Sequence, residues 1–375
     1  MTGHKKEIRP GVWRLRVSAG KDPATGKYLY KSKTVEGGPR IADRALAELV
    51  AASKDSRSSV TLGQLLTEFL QFRERQGIGI RTLASYRMLA KNHIYPRLGS
   101  YKLEKLIARE LDREYDKMAD NGVGVSTIEH VHRLVRAALS QAEKWGYVDH
   151  NVAKMASPPH SPRSVVTAPT PEELGQILTA TFQRSPQVAA VFALCALTGA
   201  RRGEVLALRW SDFDTSQKVL TISKSVGYTS TSGIFVKATK TMGVRKIGVG
   251  KLLEDVIQSQ VQELKKHVDL GFDLVTDPYI FFGSPDGSAP LHPDTPSKLF
   301  RSVCDSLTLS YHLHQLRHFV GTELTAASFD PVTVAGRLGH DPAVLLGTYA
   351  HAVQARDRAA SEYLETLIKL PHQSN

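Results

Sequence analysis

Two polar breaks divide this chain into stretches of different hydrophobic period. Ser53-Lys-Asp-Ser-Arg-Ser-Ser59 and Ser157-Pro-Pro-His-Ser-Pro-Arg163 both have linker composition. Before the first break apolar residues alternate with basic ones, as in a strand. Between the breaks they recur every three or four positions, as in a helix. After the second both patterns occur. A chain whose period switches in this way is not expected to close on one core. Its 375 residues also suit two or three domains. The expected units are 1–56, 60–157 and 165–375.

In the first unit, Val12-Trp-Arg-Leu-Arg-Val17 alternates apolar and basic residues, Asp22-Pro-Ala-Thr-Gly26 supplies a turn, and Tyr28 to Val35 alternates again. This predicts a small antiparallel sheet over 9–35, to which the fold class assigns three strands, followed by a helix over 39–52. In the second unit, Leu62, Leu65, Leu66, Phe69 and Leu70 form an apolar helical stripe. Thr82 is expected to cap the next helix, a third spans 109–118, and Ser126 is expected to cap a fourth that carries Ile128, Val131, Leu134 and Val135. In the third unit, helices are predicted at 171–180, 187–198, 201–208, 251–267, 295–306, 314–327, 331–337, 342–349 and 353–369. Stretches 219–223, 234–239 and 244–249 are expected to form one three-stranded sheet. The fold class is therefore multidomain, mainly α, with small β-sheets.

The net charge is +12 and the isoelectric point about 9.6. Thirteen Lys and Arg against six acidic residues fall in the first sixty positions. That concentration points to a polyanionic partner, nucleic acid first. A strand pair with one apolar and one basic face fits a sheet that reads DNA, although a merely solvated basic face has the same pattern. The candidate DNA contacts are Arg14, Arg16, Lys31 and Lys33 in the sheet and Arg81 and Arg87 on the helices. Cys195 and Cys304 lie in apolar contexts and read as small buried hydrophobes of a reducing compartment. The basic N-terminus has no apolar leader run, and the longest apolar run, Val188 to Leu197, is too short to span a bilayer. A protein of a reducing cytoplasm is expected.

Several side chains could carry chemistry. Arg201 follows Thr198-Gly-Ala200, and Glu204 falls one helical turn later on the same face. An arginine at such a place offers paired donors to an oxyanion, and the carboxylate can orient it, though most pairs at this spacing are surface ion pairs. His314 and Arg317 are likewise one turn apart, with His318 beside them. The histidines His312, His314 and His318 have no acidic residue at metal-site spacing, which argues against zinc. His340 follows the turn Leu338-Gly339, and Tyr349 lies nine residues on. A tyrosine is usually a packing residue. It becomes a nucleophile only where cations and a proton acceptor surround a hydroxyl whose ordinary pKa is about 10.

Taken in order, Thr198-Gly-Ala-Arg201-Arg-Gly-Glu204, Thr239-Lys240-Thr241, His314-Gln-Leu-Arg317-His318, Leu338-Gly-His340 and Tyr349-Ala-His351 resemble the tyrosine recombinases, the family of the phage integrases. The resemblance covers residues 170–355. Residues 61–160 are similar to the family's helical core-binding domain, and 9–52 to the small arm-binding domain. Gln315 and Leu345 depart from the usual Asp and Thr, at positions that deliver no chemistry. Lys240 matches the family's hairpin lysine, with Lys237 and Lys246 close by as alternatives.

The resemblance implies a site-specific recombinase. Tyr349 would attack the scissile phosphate to give a 3′-phosphotyrosyl bond. Arg201 and Arg317 would bind the non-bridging oxygens, and His314 and His340 would add hydrogen bonds, with His314 taking the tyrosine proton. Lys240 would protonate the leaving 5′-oxygen, and Glu204 would hold the site together. The family needs neither metal nor cofactor. The implied partners are double-stranded attachment-site DNA, three further copies in a tetramer, a DNA-bending host factor and a directionality factor. The apolar stripe Ala359, Tyr363, Leu364, Leu367 and Ile368 would dock either on a neighbouring copy or on its own domain. Two alternatives stand beside the integrase: an Xer-like resolvase or invertase on short sites, and a non-catalytic DNA-binding regulator on the same scaffold.

Overall fold

In a computed structural model of the chain, the described residues are 3–21, 28–58, 60–160, 167–239 and 243–339. They divide into two compact units, Met1–Arg163 and Ser164–Asn375.

The first unit opens with strands β1 (His4–Arg9), β2 (Val12–Lys21) and β3 (Tyr28–Glu36), paired antiparallel in the order β1-β2-β3. Helix α1 (Pro39–Ser58) covers one face. Leu15 of β2 packs with Ala42 and Ala45 of α1, and Trp13, Val35, Leu46 and Leu49 surround them. The three-stranded sheet is present, but its first strand, β1, lies almost wholly before the expected range 9–35 and was not read from the sequence. Helix α1 continues six residues past its expected end at 52, through most of the polar segment 53–59. No Gly or Pro lies there to stop it.

Helices α2 (Leu62–Arg75), α3 (Ile80–Leu89), α4 (Tyr95–Leu98), α5 (Ala108–Asp120) and α6 (Val125–Trp145) complete this unit. Thr61 and Gln64 form a reciprocal cap at the start of α2. Thr82 and Ser126 are not caps. Gly79 and Gly124 hold those positions, each two residues after a left-handed glycine, Gly77 (φ 73°) and Gly122 (φ 75°), so each helix starts before the residue expected to cap it. The Leu62, Leu65 and Leu66 stripe meets Leu111, Tyr115, Ile128, Val131 and Val135 in one core. Between α3 and α4 the chain makes a π turn, Ala90–Ile94. Pro96, without an N–H, cannot supply the regular helical bond there.

The second unit is built around α8 (Pro186–Thr198), which is apolar on nearly all sides and buried along most of its length. Helices α7 (Pro171–Arg184), α10 (Lys251–Asp269), α11 (Asp294–Ser306) and α12 (Gln315–Ala326) pack against it. Phe192 of α8 meets Phe300 of α11 edge to face at 5.1 Å. Burying a ring of this kind contributes about 1.5–3 kcal/mol. Helices α9 (Arg202–Val205) and α13 (Pro331–Leu338) are short.

The expected single three-stranded sheet is in fact two sheets. Strands β4 (Phe213–Asp214), β5 (Val219–Ile222) and β8 (Arg245–Gly248) pair in that order, whereas β6 (Lys224–Thr229) pairs with β7 (Gly233–Ala238) as a separate hairpin. The sequence reading missed β6. Its Lys-Ser-Val-Gly-Tyr-Thr sequence alternates poorly, and its partner is only three residues away across the turn. The expected helices at 342–349 and 353–369, including the stripe Ala359 to Ile368, lie outside the described residues. No described helix is long and apolar enough to cross a membrane.

Candidate active site

The site in the second unit starts where α8 stops. Gly199 takes φ 68° and ends that helix. A Cβ at Gly199 would fall 2.3 Å from Leu338 Cδ2, so both backbone and space demand glycine. Thr198 Oγ1 donates to Leu194 O at 2.6 Å and accepts from Ala200 N at 3.0 Å, which fixes the turn. Arg201 then stands as the N-cap of α9. Its own N–H donates to Glu204 Oε2 at 2.8 Å, and its Nη1 donates to Glu204 Oε1 at 3.0 Å. The Glu204 side chain is 3% exposed and that of Arg201 40%. The carboxylate therefore holds a guanidinium that still reaches the surface.

Glu204 has a second cation. Arg245 of β8 donates Nη2 to Glu204 Oε2 at 2.7 Å, with its side chain 9% exposed. Burial alone would raise the Glu204 pKa. The hydrogen bond and charge of Arg245, with the N–H and charge of Arg201, outweigh it and hold the carboxyl below its ordinary value. Arg245 was not among the sequence candidates. A signal existed, because alternation puts Arg245 on the same strand face as buried Ile247, and a charge on an inward face implies a buried partner.

Arg317 is 2% exposed and donates Nη1 to Gly199 O at 2.7 Å. It thus reaches from α12 to the turn that presents Arg201. Arg337 of α13 does the same for Leu197 O at 2.7 Å, so two guanidiniums serve carbonyls left open at the end of α8. His314 is the N-cap of α12, and its ring meets that of His318 edge to face at 5.3 Å. Burial, then the charges of His318, Arg317 and Arg201, push the His314 pKa below its ordinary value against a smaller opposing effect of Glu204. Burial and Arg317 also lower that of His318. Gln315 accepts from His312 N and donates to Thr167 O, so the residue that replaces the usual Asp braces the loop before α12.

Arg201, Glu204, His314 and Arg317 thus come together as one cluster. Lys240, His340, Tyr349 and Leu345 lie outside the described residues. Of the other lysines, Lys246 is on the face of β8 opposite Arg245, and Lys237 is in β7 opposite Ser225. Cys195 and Cys304 are free thiols in the core, and burial pushes their pKa values to about 12 and about 11.

The four candidate DNA contacts of the sheet lie on two faces. Arg14 pairs across the sheet with Lys6 and Thr34, and Arg16 with His4 and Ser32, so these residues share the face away from α1. Lys33 pairs with buried Leu15 and Lys31 with buried Val17, which sets both lysines on the α1 side. Strand alternation thus sets the two arginines and the two lysines on opposite faces. Arg16 also stacks over Tyr30 at 4.7 Å, an aromatic the sequence reading did not single out. On α3, Arg81 is exposed and Arg87 donates to Glu74 Oε2 at 2.6 Å.

Within a helical bundle with small sheets, two arginines and a histidine around one turn make a cationic cluster whose chemistry suits an oxyanion. The profile of the phage integrase family matches residues 169–356. The ICEBs1 integrase of Bacillus subtilis is 24% identical over 377 residues, covering 97% of this chain and 99% of that protein. A Tn1549 transposon integrase variant, solved in complex with a circular intermediate DNA, superposes with a TM-score of 0.69 at 20% identity, over 81% of this chain and all of that one. A lambda integrase tetramer bound to a Holliday junction gives a TM-score of 0.59 at 20% identity, over 90% of this chain and 95% of that one. The chain belongs to the phage integrase family, the tyrosine recombinases. Its activity is breakage and rejoining of DNA strands.

Proposed function

We propose that this chain is the integrase of a mobile element and that Tyr349 is its nucleophile, forming a 3′-phosphotyrosyl bond. The observation that carries the reading is the shared turn at Gly199–Glu204. Glu204 anchors Arg201 from one side while Arg317 reaches the Gly199 carbonyl from the other. Both guanidiniums are fixed before substrate arrives, as donors aimed at a growing negative charge must be. His314, kept neutral near pH 7 by its lowered pKa, accepts the tyrosine proton. His340 adds a hydrogen bond to the phosphate. Lys240 protonates the leaving 5′-oxygen, and the outward placement of Lys246 favours it over that neighbour. The phosphotyrosyl bond stores the energy of the broken one, so rejoining needs no nucleotide.

Three units divide the work in this reading. Residues 1–56 bind arm DNA through the open sheet face, 60–157 bind the core site, and 165–375 carry the chemistry. Four copies act together on two duplexes, as in the lambda integrase tetramer on a Holliday junction. A DNA-bending host factor and a directionality factor complete the assembly. The cell interior, on DNA, is its place of action. The test is a duplex with the element's own junction sequence, nicked near the cleavage point so that the released strand is lost. A covalent protein–DNA adduct supports the enzyme. Tight binding without adduct supports the non-catalytic regulator instead.

A further inference from the structure

We propose that Arg245 is a positioning residue of the strand-transfer site, one that fixes the Glu204 carboxylate and, through it, the Arg201 guanidinium. The proposal rests on the reading of Arg201 as a phosphate ligand.

Three placements carry it. Arg245 Nη2 lies 2.7 Å from Glu204 Oε2, the same oxygen that accepts the Arg201 N–H. The Glu204 side chain is buried, at 3% exposed, and that of Arg245 is nearly so, at 9%, so solvent screens the pair less than a surface bridge. The guanidinium also lies close to Gly339, just before His340. A Cβ on Gly339 would come within 3.2 Å of Arg245 Nη1 and 3.4 Å of its Cδ, and Gly339 takes φ 64°. One side chain therefore bonds to Glu204 and lies beside Gly339, the residue before His340. It does so from the first residue of the strand that follows the segment carrying Lys240.

The chemical consequence concerns Glu204. Its Oε1 accepts Arg201 Nη1, and that bond is charge-assisted only while the carboxyl is ionised. Take Arg245 away and burial, the largest influence on this carboxyl, is opposed by Arg201 alone. The carboxyl then protonates at a higher pH than before, and Arg201 loses its ionic anchor below that pH. A role confined to packing would slow cleavage equally at every pH.

Single-turnover cleavage of the nicked junction duplex, with full-length protein in saturating excess, separates the two. Wild type, Arg245→Met, Arg245→Lys, Glu204→Gln and the double variant are compared over about pH 5.5 to 8.5. At the acid end Arg245→Met should cleave roughly 10–100-fold more slowly than wild type, the usual cost of removing a partner one step behind a site. The deficit should shrink toward the alkaline end while DNA affinity stays unchanged. Arg245→Lys, which keeps the charge, should keep the wild-type profile with a smaller loss. Adding Arg245→Met to Glu204→Gln should cost nothing further, because Arg245 acts through that carboxylate. Wild-type rates in Arg245→Met overturn the proposal. So does a pH-independent deficit that multiplies with that of Glu204→Gln. Should Arg245→Met not fold, Arg245→Gln replaces it with the same two readings. Wild-type protein that forms no adduct at all overturns the phosphotyrosyl reading itself, whereas normal adduct with indifferent Arg245 variants overturns only the role given to Arg245.

Discussion

Arg317 donates Nη1 to the carbonyl of Gly199 at 2.7 Å, so a residue of α12 holds the turn that presents Arg201. In the proposed mechanism Arg317 thus has two duties and Arg201 one. Arg317→Ala should slow cleavage by roughly 10²–10³-fold, the cost of losing one oxyanion donor. It should also destabilise the fold by about 1–3 kcal/mol, because a buried carbonyl loses its partner. Arg201→Ala should slow cleavage comparably but shift the melting temperature much less, since its side chain is 40% exposed and Glu204 keeps Arg245. Thermal melts beside single-turnover rates separate the two. Equal destabilisation would mean that the Gly199 hydrogen bond carries no stability.

Gly199 itself should tolerate no side chain. Gly199→Ala must hold a left-handed φ and displace Leu338, whose Cδ2 stands 2.3 Å from the new Cβ. A loss of roughly 2–4 kcal/mol is expected in urea unfolding. A loss under about 0.5 kcal/mol, typical of surface sites, would contradict the packing described here.

His314 sets the expected pH dependence. Burial and its cationic neighbours lower its pKa, so the neutral form that accepts a proton persists below the usual histidine value of about 6.5. Cleavage should therefore be level near neutrality and fall only at more acid pH. The same shift bears on stability. Between the lowered pKa and about 6.5 the unfolded chain binds more protons, so stability should rise with pH across that window. His314→Ala should remove the acid limb of the rate profile and lower the plateau by about 10²–10⁴-fold. An acid limb that survives in His314→Ala would pass the proton to another group.

How much of this was legible in the sequence depended on range. The helix stripes of the first unit and the apolar α8 were readable because their periods are local. The spacing of Arg201 and Glu204 gave their shared face, and the pair is indeed bonded. Arg245 was not found: alternation set it on an inward face, but its partner lies 41 positions away and no local pattern identifies Glu204 as that partner. The split into two sheets was missed for the same reason, since β5 pairs with β8 across the whole β6–β7 hairpin. Lys31 and Lys33 were grouped with Arg14 and Arg16 by composition, although alternation and register separate them.

That separation is testable. Arg14→Ala with Arg16→Ala should weaken binding to arm DNA and reduce the slope of log affinity against log salt by roughly one for each phosphate no longer neutralised. Lys31→Ala with Lys33→Ala, on the α1 side, should leave the slope nearly unchanged. Cleavage of the core duplex should be normal in both. If the lysine pair lowers the slope as much as the arginine pair, the open face is not the DNA-binding one.

The central claim is the identity of the nucleophile, and the covalent adduct identifies it. After the nicked junction duplex traps the protein, nuclease trimming and proteolysis should leave a nucleotide on one peptide. Mass spectrometry should place that nucleotide on Tyr349, through a 3′-phosphate, and Tyr349→Phe should bind the duplex with unchanged affinity yet give no adduct. A nucleotide mapped to Tyr363 or to any serine, or an adduct still formed by Tyr349→Phe, would contradict the account.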